Sequence, residues 1–227
     1  MKTYTLYLIR HGVTQGNLDG VYVGQSDSAL CPAGVDDLKK LREAAQYPEV
    51  PIVFSSPLKR SLESAEILFP GIKPLVIDGF IEYNFGSFDG HTAEELKDNE
   101  TFQKWLSGDP EVAPPYGEST AEFQNRVSET FIKVVEGILK TGVTESAIVT
   151  HGGVIMAIMA LFALPEASMT QWMTDPGCGY ALRLSTQLWA TGHKLEAFAE
   201  IPEFPDVPEE LEERPLWVEV ETTEEDN

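Results

Sequence analysis

Cysteine, positive charge and long apolar runs are all scarce in this 227-residue chain. The two cysteines, Cys31 and Cys178, cannot build a disulfide framework and do not stand at metal-ligand spacing, which fits small buried thiols in a reducing compartment. Lysine and arginine number 16 against 37 aspartates and glutamates, for a formal net charge of −21. That balance argues against a nonspecific nucleic-acid binder, which needs Lys and Arg to neutralise phosphates, and it disfavours anionic membranes for the same reason. The longest apolar run, Val154 to Leu164, falls short of the roughly 20 residues that cross a bilayer. The first ten residues have neither the apolar stretch nor the small-residue cleavage site of a secretory signal. The expectation is a soluble, cytoplasmic protein. Internal repeats and low-complexity core segments are missing too. What is abundant is apolar side chain, 42% hydrophobic and 10% aromatic. One large domain, or one plus an insert, can form a core on that supply without disulfide or metal staples.

The acidity is uneven. From Glu200 to Asn227 there are 12 acidic residues and one basic, so this stretch carries a net −11. With Pro202, Pro205, Pro208 and Pro215 it reads as an extended, self-repelling tail, and Phe204, Leu216, Trp217 and Val218 suggest partial docking. Ahead of it, strands and helices alternate. Strand patterns cover Thr3 to Ile9, Ile52 to Ser55, Lys73 to Ile77, Ser146 to Thr150, Tyr180 to Ser185 and Leu195 to Ile201. Helical patterns cover Pro32 to Tyr47, Leu58 to Leu68, Glu118 to Lys140 and Val154 to Leu164. Such alternation predicts an α/β fold, a three-layer α/β/α sandwich around a mostly parallel sheet. The segment from Glu82 to Gly117 is irregular and aromatic, with Tyr83, Phe85, Phe88, Trp105 and Tyr116, and reads as a lid over a site or a surface subdomain with its own small core. The organisation expected is one catalytic domain over residues 1–201, with the lid at about 82–117, followed by a tail at 202–227.

Two apolar strands end in the same dipeptide, Leu8-Ile9-Arg10-His11-Gly12 and Ile148-Val149-Thr150-His151-Gly152-Gly153. In a parallel sheet both imidazoles emerge at the carboxyl edge, where open α/β sheets place ligands. Two of only four histidines at equivalent strand ends read as a site rather than as separate structural imidazoles. His91 and His193 stand in weaker contexts and are expected at the surface. A third strand ends in Ser55-Ser56-Pro57-Leu58-Lys59-Arg60, with Arg60 in the first turn of the next helix. A guanidinium is planar, permanently charged and able to hold two phosphate oxygens at once, so Arg10 and Arg60 facing two histidines point to phosphate. Asn17 adds an amide donor, and the helix starting near Gly152 adds free backbone N–H groups. Glu82, among aromatic and apolar neighbours at the mouth of the lid, is a carboxyl whose burial would raise its pKa and keep a proton available.

Leu8-Ile9-Arg10-His11-Gly12-Val13-Thr14 resembles the signature of the histidine phosphatase superfamily, in its phosphoglycerate-mutase-like branch. Tyr22 to Leu30, Ser55 to Arg60, Glu82 to Gly90, Gly117-Glu118-Ser119 and Val149 to Gly153 resemble further family segments in the right order, over roughly residues 3 to 185. The resemblance implies His11 as a nucleophile that forms a phosphohistidine, which water then hydrolyses. It implies Arg10, Arg60 and His151 as holders of the transferred phosphoryl group, with Asn17 and the Gly152 amide as further donors. Gly24 and Tyr83 are candidate phosphate or substrate contacts, with lid packing the other reading of Tyr83. Glu82 would protonate the leaving alkoxide and then deprotonate water. No metal and no cofactor is implied, because arginines and imidazoles supply the positive charge.

Within the family, Glu82-Tyr83-Asn84-Phe85-Gly86 is more similar to the phosphatase members, including alpha-ribazole phosphatases and broad phosphomonoesterases. Glycolytic mutases carry basic residues here, whereas from Glu82 to Gly117 this chain has only Lys97 and Lys104 besides His91. A phosphomonoester hydrolase acting on a small phosphorylated metabolite is therefore expected. A 2,3-bisphosphoglycerate-dependent mutase is the alternative, and a non-catalytic phosphate-binding module is a second one. Homo-oligomerisation stays open. Cys31, where the family has Thr or Ser ahead of the Pro32 helix, is a departure expected to weaken an N-cap by about 1 kcal/mol.

Overall fold

Strand β1 (Thr3–Arg10) is buried on both faces, with Leu6 and Leu8 in one apolar cluster and Ile9 in another. A strand apolar on both sides belongs in the middle of a sheet that is covered twice. The computed structural model, which describes residues 2–204, places it there. In chain order β1 is followed by α1 (Gln15–Leu18), α2 (Pro32–Ala44), β2 (Val53–Ser55), α3 (Lys59–Leu68) and β3 (Leu75–Val76). Next come α4 (Ala93–Leu96), α5 (Glu100–Leu106), α6 (Thr120–Thr141), β4 (Glu145–Thr150) and α7 (Gly152–Phe162). The described chain closes with β5 (Ala163–Leu164), β6 (Gly179–Ser185), α8 (Thr186–Gly192) and β7 (Leu195–Ile201).

The sheet has seven strands in the order β3-β2-β4-β1-β6-β7-β5. Parallel pairing joins β3, β2, β4 and β1, and β5 pairs in parallel with β7. Only β6 runs against its neighbours β1 and β7. One face is covered by α6, α7 and α8 through Phe123, Val127, Phe131, Ile155, Ile158 and Trp189. The other is covered by α2 and α3 through Leu38, Ala65 and Leu68. This is the expected α/β/α sandwich.

Several boundaries differ from the expected ones, each for a tertiary reason. Helix α2 stops at Ala44 instead of Tyr47, because the Gln46 backbone exchanges hydrogen bonds with Glu203 at 2.7 and 3.3 Å. The apolar run expected as one helix to Leu164 ends at Phe162, and Ala163 and Leu164 pair with β7 as an edge strand. Helix α6 begins after Ser119, whose hydroxyl accepts the Glu122 N–H while the Glu122 carboxylate accepts the Ser119 N–H. Cys31 does cap α2: its sulfur accepts the Gly34 N–H at 3.3 Å, a weaker acceptor doing the work of a hydroxyl. Cys31 is buried, whereas Cys178 is half-buried.

The lid segment is more ordered than its composition predicts. Thr92 and Glu95 form a capping box at α4, and the Asn99 side chain accepts two N–H groups at the start of α5. Phe88, Leu96 and Phe102 make a satellite core, with Tyr22, Phe85 and Trp105 packed against it. Of the acidic tail, residues 202–204 are described, and Phe204 is half-buried. Residues 205–227, including Leu216, Trp217 and Val218, lie outside the described residues. No helix among the described residues is long and apolar enough to cross a membrane.

Candidate active site

The register of three neighbouring strands assembles the site. Arg10 at the end of β1 pairs with Thr150 at the end of β4, and Ser55 at the end of β2 pairs with Val149. Beyond the last pairs, the His11 N–H donates to the Thr150 carbonyl at 2.9 Å and the Ser56 N–H to the Val149 carbonyl at 3.1 Å. His11, His151 and Ser56 therefore leave the same sheet edge side by side. The two imidazoles meet edge-on with centroids 5.1 Å apart.

His11 Nδ1 lies 2.6 Å from the Gly12 carbonyl oxygen. A carbonyl only accepts, so Nδ1 carries the hydrogen and Nε2 keeps its lone pair. That lone pair accepts from Arg60 Nε at 3.2 Å. Arg60 is fully buried, and its other nitrogens donate to the carbonyls of Ser26 at 2.8 Å and Gly24 at 2.6 Å. Gly24 thus serves the site by holding Arg60. A Cβ at Gly24 would lie 2.5 Å from the Tyr83 carbonyl oxygen, so only glycine lets this loop come so close. Ser64 links the two segments, donating to the Arg60 carbonyl at 2.6 Å and accepting the Gly12 N–H at 2.9 Å.

Arg10 donates from Nη1 to the Thr174 carbonyl at 2.7 Å, while its Nε is buried without a partner. His151 is in the same condition: Nε2 lies 2.6 Å from Ser56 Oγ, and Nδ1 is buried without a partner. Gly152 opens α7 against Arg10, its ideal Cβ position 3.4 Å from Arg10 Nε, and its N–H is one that the helix itself leaves unpaired. Asn17 uses its side-chain oxygen in a capping box with Thr14 at the start of α1, which leaves the amide nitrogen as its donor.

Both oxygens of the Glu82 carboxylate are held by backbone, accepting the Tyr83 N–H at 2.8 Å and the Gly153 N–H at 3.0 Å. A Cβ at Gly153 would stand 2.5 Å from Glu82 Oε1, so the carboxylate reaches the start of α7 only because residue 153 has no side chain. Tyr83 turns its ring into the lid, stacked on Phe85 at 4.9 Å, with its hydroxyl accepting from Trp105 Nε1 at 3.1 Å. Both the ring and the hydroxyl are engaged by lid packing. His91 is exposed beside Glu95, and His193 caps α8 in the left-handed region at φ 52°. Both stand apart from the cluster.

Burial and like charge set the protonation states. Burial first, then Arg60 and Arg10, push the His11 pKa well below its ordinary value. His151 is lowered in the same direction by burial, then by His11, Arg60, Arg10 and Arg126. Burial raises Glu82, against the opposing pull of its two N–H bonds and of Arg60 and Arg10. Burial also raises the Cys178 thiol to about 11, which keeps it protonated. The result is a neutral imidazole lone pair and a carboxyl of raised proton affinity beside two guanidinium groups. That combination suits an anion with an electrophilic centre.

The histidine phosphatase superfamily (branch 1) matches residues 6–193 of this sequence. The chain belongs to that superfamily. The adenosylcobalamin/alpha-ribazole phosphatase of Escherichia coli is 27% identical over 199 residues, covering 86% of this chain and 96% of that protein. Phosphoserine phosphatase 1 of Hydrogenobacter thermophilus is 32% identical over 128 residues, covering 54% and 60% respectively. The crystal structure of the alpha-ribazole phosphatase from Shigella flexneri superposes with a TM-score of 0.71 at 26% identity, covering 81% of this chain and 92% of that one.

Three residues join the site that the sequence alone does not single out. Ser56 and Gly153 lie inside stretches that carry the resemblance, but their bonds to His151 and Glu82 depend on contacts 95 and 71 residues away. Arg126, in the second turn of α6, donates to the carbonyls of Gly79 and Ile81, both at 2.9 Å, and of Glu82 at 3.3 Å. It also pairs with Glu118 at 2.6 Å. Its only signal in sequence is a basic residue on an otherwise amphipathic helix.

Proposed function

We propose that this chain is a metal-independent phosphomonoester hydrolase that works through a phosphohistidine on a small organic phosphate. The observation that carries this reading is the state of His11: Nδ1–H is spent on the Gly12 carbonyl, leaving Nε2 as a neutral lone pair beside buried Arg60. In the first step Nε2 attacks phosphorus, an N–P bond forms, and the P–O bond to the leaving alkoxide breaks as Glu82 gives that oxygen its proton. In the second step water attacks phosphorus, Glu82 takes back a proton, and the N–P bond breaks to release phosphate. Arg10, Arg60, His151, the Gly152 N–H and the Asn17 amide stabilise the equatorial oxygens. Gly24 supports Arg60 from behind, and Tyr83 ties Glu82 to the lid.

The lid favours hydrolysis over isomerisation. A bisphosphoglycerate-dependent mutase needs cations for a second anionic group, and between Glu82 and Gly117 only Lys97 and Lys104 accompany His91. Lys97 is already paired with Glu94. The aromatic lid instead suits a partly apolar group on the ester. The test is phosphate release in EDTA from p-nitrophenyl phosphate, alpha-ribazole phosphate, phosphoserine, phosphoglycerates and sugar phosphates, with His11→Ala as control. Turnover that survives EDTA and is lost in the control, together with an acid-labile phosphoprotein in the wild type alone, is the expected result. Isomer formation without net phosphate release would replace this reading with the mutase, and binding without turnover would replace it with a non-catalytic module.

A further inference from the structure

His11 and His151 face each other, yet a site that both attacks and grips a phosphoryl group needs one ring to offer a lone pair and the other a hydrogen. Resting on the hydrolase reading above, we infer that Ser56 is a positioning residue. By donating its hydroxyl hydrogen to His151 Nε2, it holds that ring as the Nδ1–H tautomer, so that Nδ1 offers a hydrogen to an anion between the histidines.

Ser56 and His151 are both fully buried, so neither can turn to water. Ser56 Oγ has one hydrogen to give and two lone pairs. One lone pair faces the Leu58 N–H at 3.4 Å, and His151 Nε2 lies 2.6 Å away. Among the described residues, Nε2 is the acceptor that the hydroxyl hydrogen can reach. In the opposite arrangement Nε2–H donates to Oγ, and two groups are orphaned: the serine hydrogen and a bare Nδ1 lone pair. With serine as donor, the single unmet group is Nδ1–H. His151 is the N-cap of α7, and the next residue, Gly152, packs against the guanidinium of Arg10, whose Nε is likewise buried without a partner. Two unpartnered buried donors at one helix start are what an oxyanion satisfies. The lowered His151 pKa agrees, because a neutral ring carries only one N–H to place.

The two histidines then share a tautomer and present opposite faces of it. His11 spends Nδ1–H on a backbone carbonyl and turns its lone pair to the site, whereas His151 spends its lone pair on a serine and turns its N–H to the site. The backbone fixes one partner and a single hydroxyl the other. Ser56 sits where it does because β2 ends in register with β4, and its own N–H is held by the Val149 carbonyl.

The test is the ring-nitrogen spectrum of protein labelled with 15N-histidine, recorded without added anion. Four histidines make the spectrum assignable with His91→Gln, His193→Gln and His11→Asn. Wild type should show His151 protonated at Nδ1 and bare at Nε2. Ser56→Ala should shift population towards Nε2–H, and Ser56→Thr, which keeps the hydroxyl, should restore the wild-type pattern. Inhibition by inorganic phosphate should weaken about tenfold in Ser56→Ala, the loss expected for one hydrogen bond, and recover in Ser56→Thr. An Nε2–H tautomer in wild type, or an unchanged His151 pattern in Ser56→Ala, overturns the inference. The wild-type spectrum decides the tautomer even if Ser56→Ala does not fold. Absence of turnover on every ester would sink the hydrolase reading while leaving the spectrum to judge Ser56 separately.

Discussion

At the scale of single residues, the site depends on groups whose charge state the fold holds away from its value in water. His11 is kept neutral by burial and by Arg60 and Arg10, so its attack needs no base. Activity on this basis persists below pH 6.5, the ordinary histidine value, and falls only at more acid pH; it also falls as pH rises through the raised value of Glu82. Glu82→Gln tests the proton's role. It should slow hydrolysis of alkyl phosphates by about 10²–10⁴ while sparing the first release of p-nitrophenol, a leaving group that needs no proton, so a burst followed by slow turnover is expected. Equal loss on both substrates in rapid-mixing assays would remove Glu82 from proton transfer. Arg10, His11, Arg60 and His151 stand out in the sequence as arginines and histidines at strand or helix ends, and Glu82 as a carboxyl among aromatic and apolar neighbours. Ser56, Gly153 and Arg126 do not, because serine, glycine and a helical arginine are common and what they bond to is far away in sequence.

At the scale of elements, α6 acts as a bracket for the segment that carries Glu82. Arg126 takes three carbonyls from Gly79, Ile81 and Glu82, and Glu118 holds both Arg126 and the Asn84 N–H at 2.9 Å. Arg126 and Glu118 retain 25% and 15% side-chain exposure, so removing one partner should cost less than for a fully buried pair. Arg126→Met is expected to destabilise by about 2 kcal/mol in urea unfolding. Paired with Glu118→Gln, it should show clear non-additivity in a double-mutant cycle. The long elements α6 and α7 could be read from amphipathic or apolar runs. The pieces α1, α5, α8 and β5 could not, since two to seven residues carry little periodicity and form only because caps and neighbouring layers complete them.

At the scale of the whole molecule, the buried ionisable groups tie stability to pH. Folded His11 and His151 refuse protons that the unfolded chain accepts near pH 6.5, so their contribution is complete above that value and is lost as pH falls. Glu82, raised above 4.5, has the opposite sign: its contribution is complete below 4.5 and is lost as pH rises through its raised value. With two histidines against one carboxyl, the urea midpoint should decline from pH 7.5 to 5.5, and His11→Asn should make that decline shallower. A wild-type midpoint flat over this range would contradict buried neutral imidazoles. The α/β class, the mostly parallel sheet, the family and the residue types at the strand ends were all determined by the sequence alone. Period, burial pattern and strand-end chemistry are local properties, written within a few residues of where they act. The carbonyls that hold Arg60, the start of α7 that receives Glu82 and the hydroxyl that faces His151 were decided only by the tertiary structure. Each is a hydrogen bond between distant segments, and its existence depends on strand register and on a close approach of a few tenths of an ångström that no local pattern encodes.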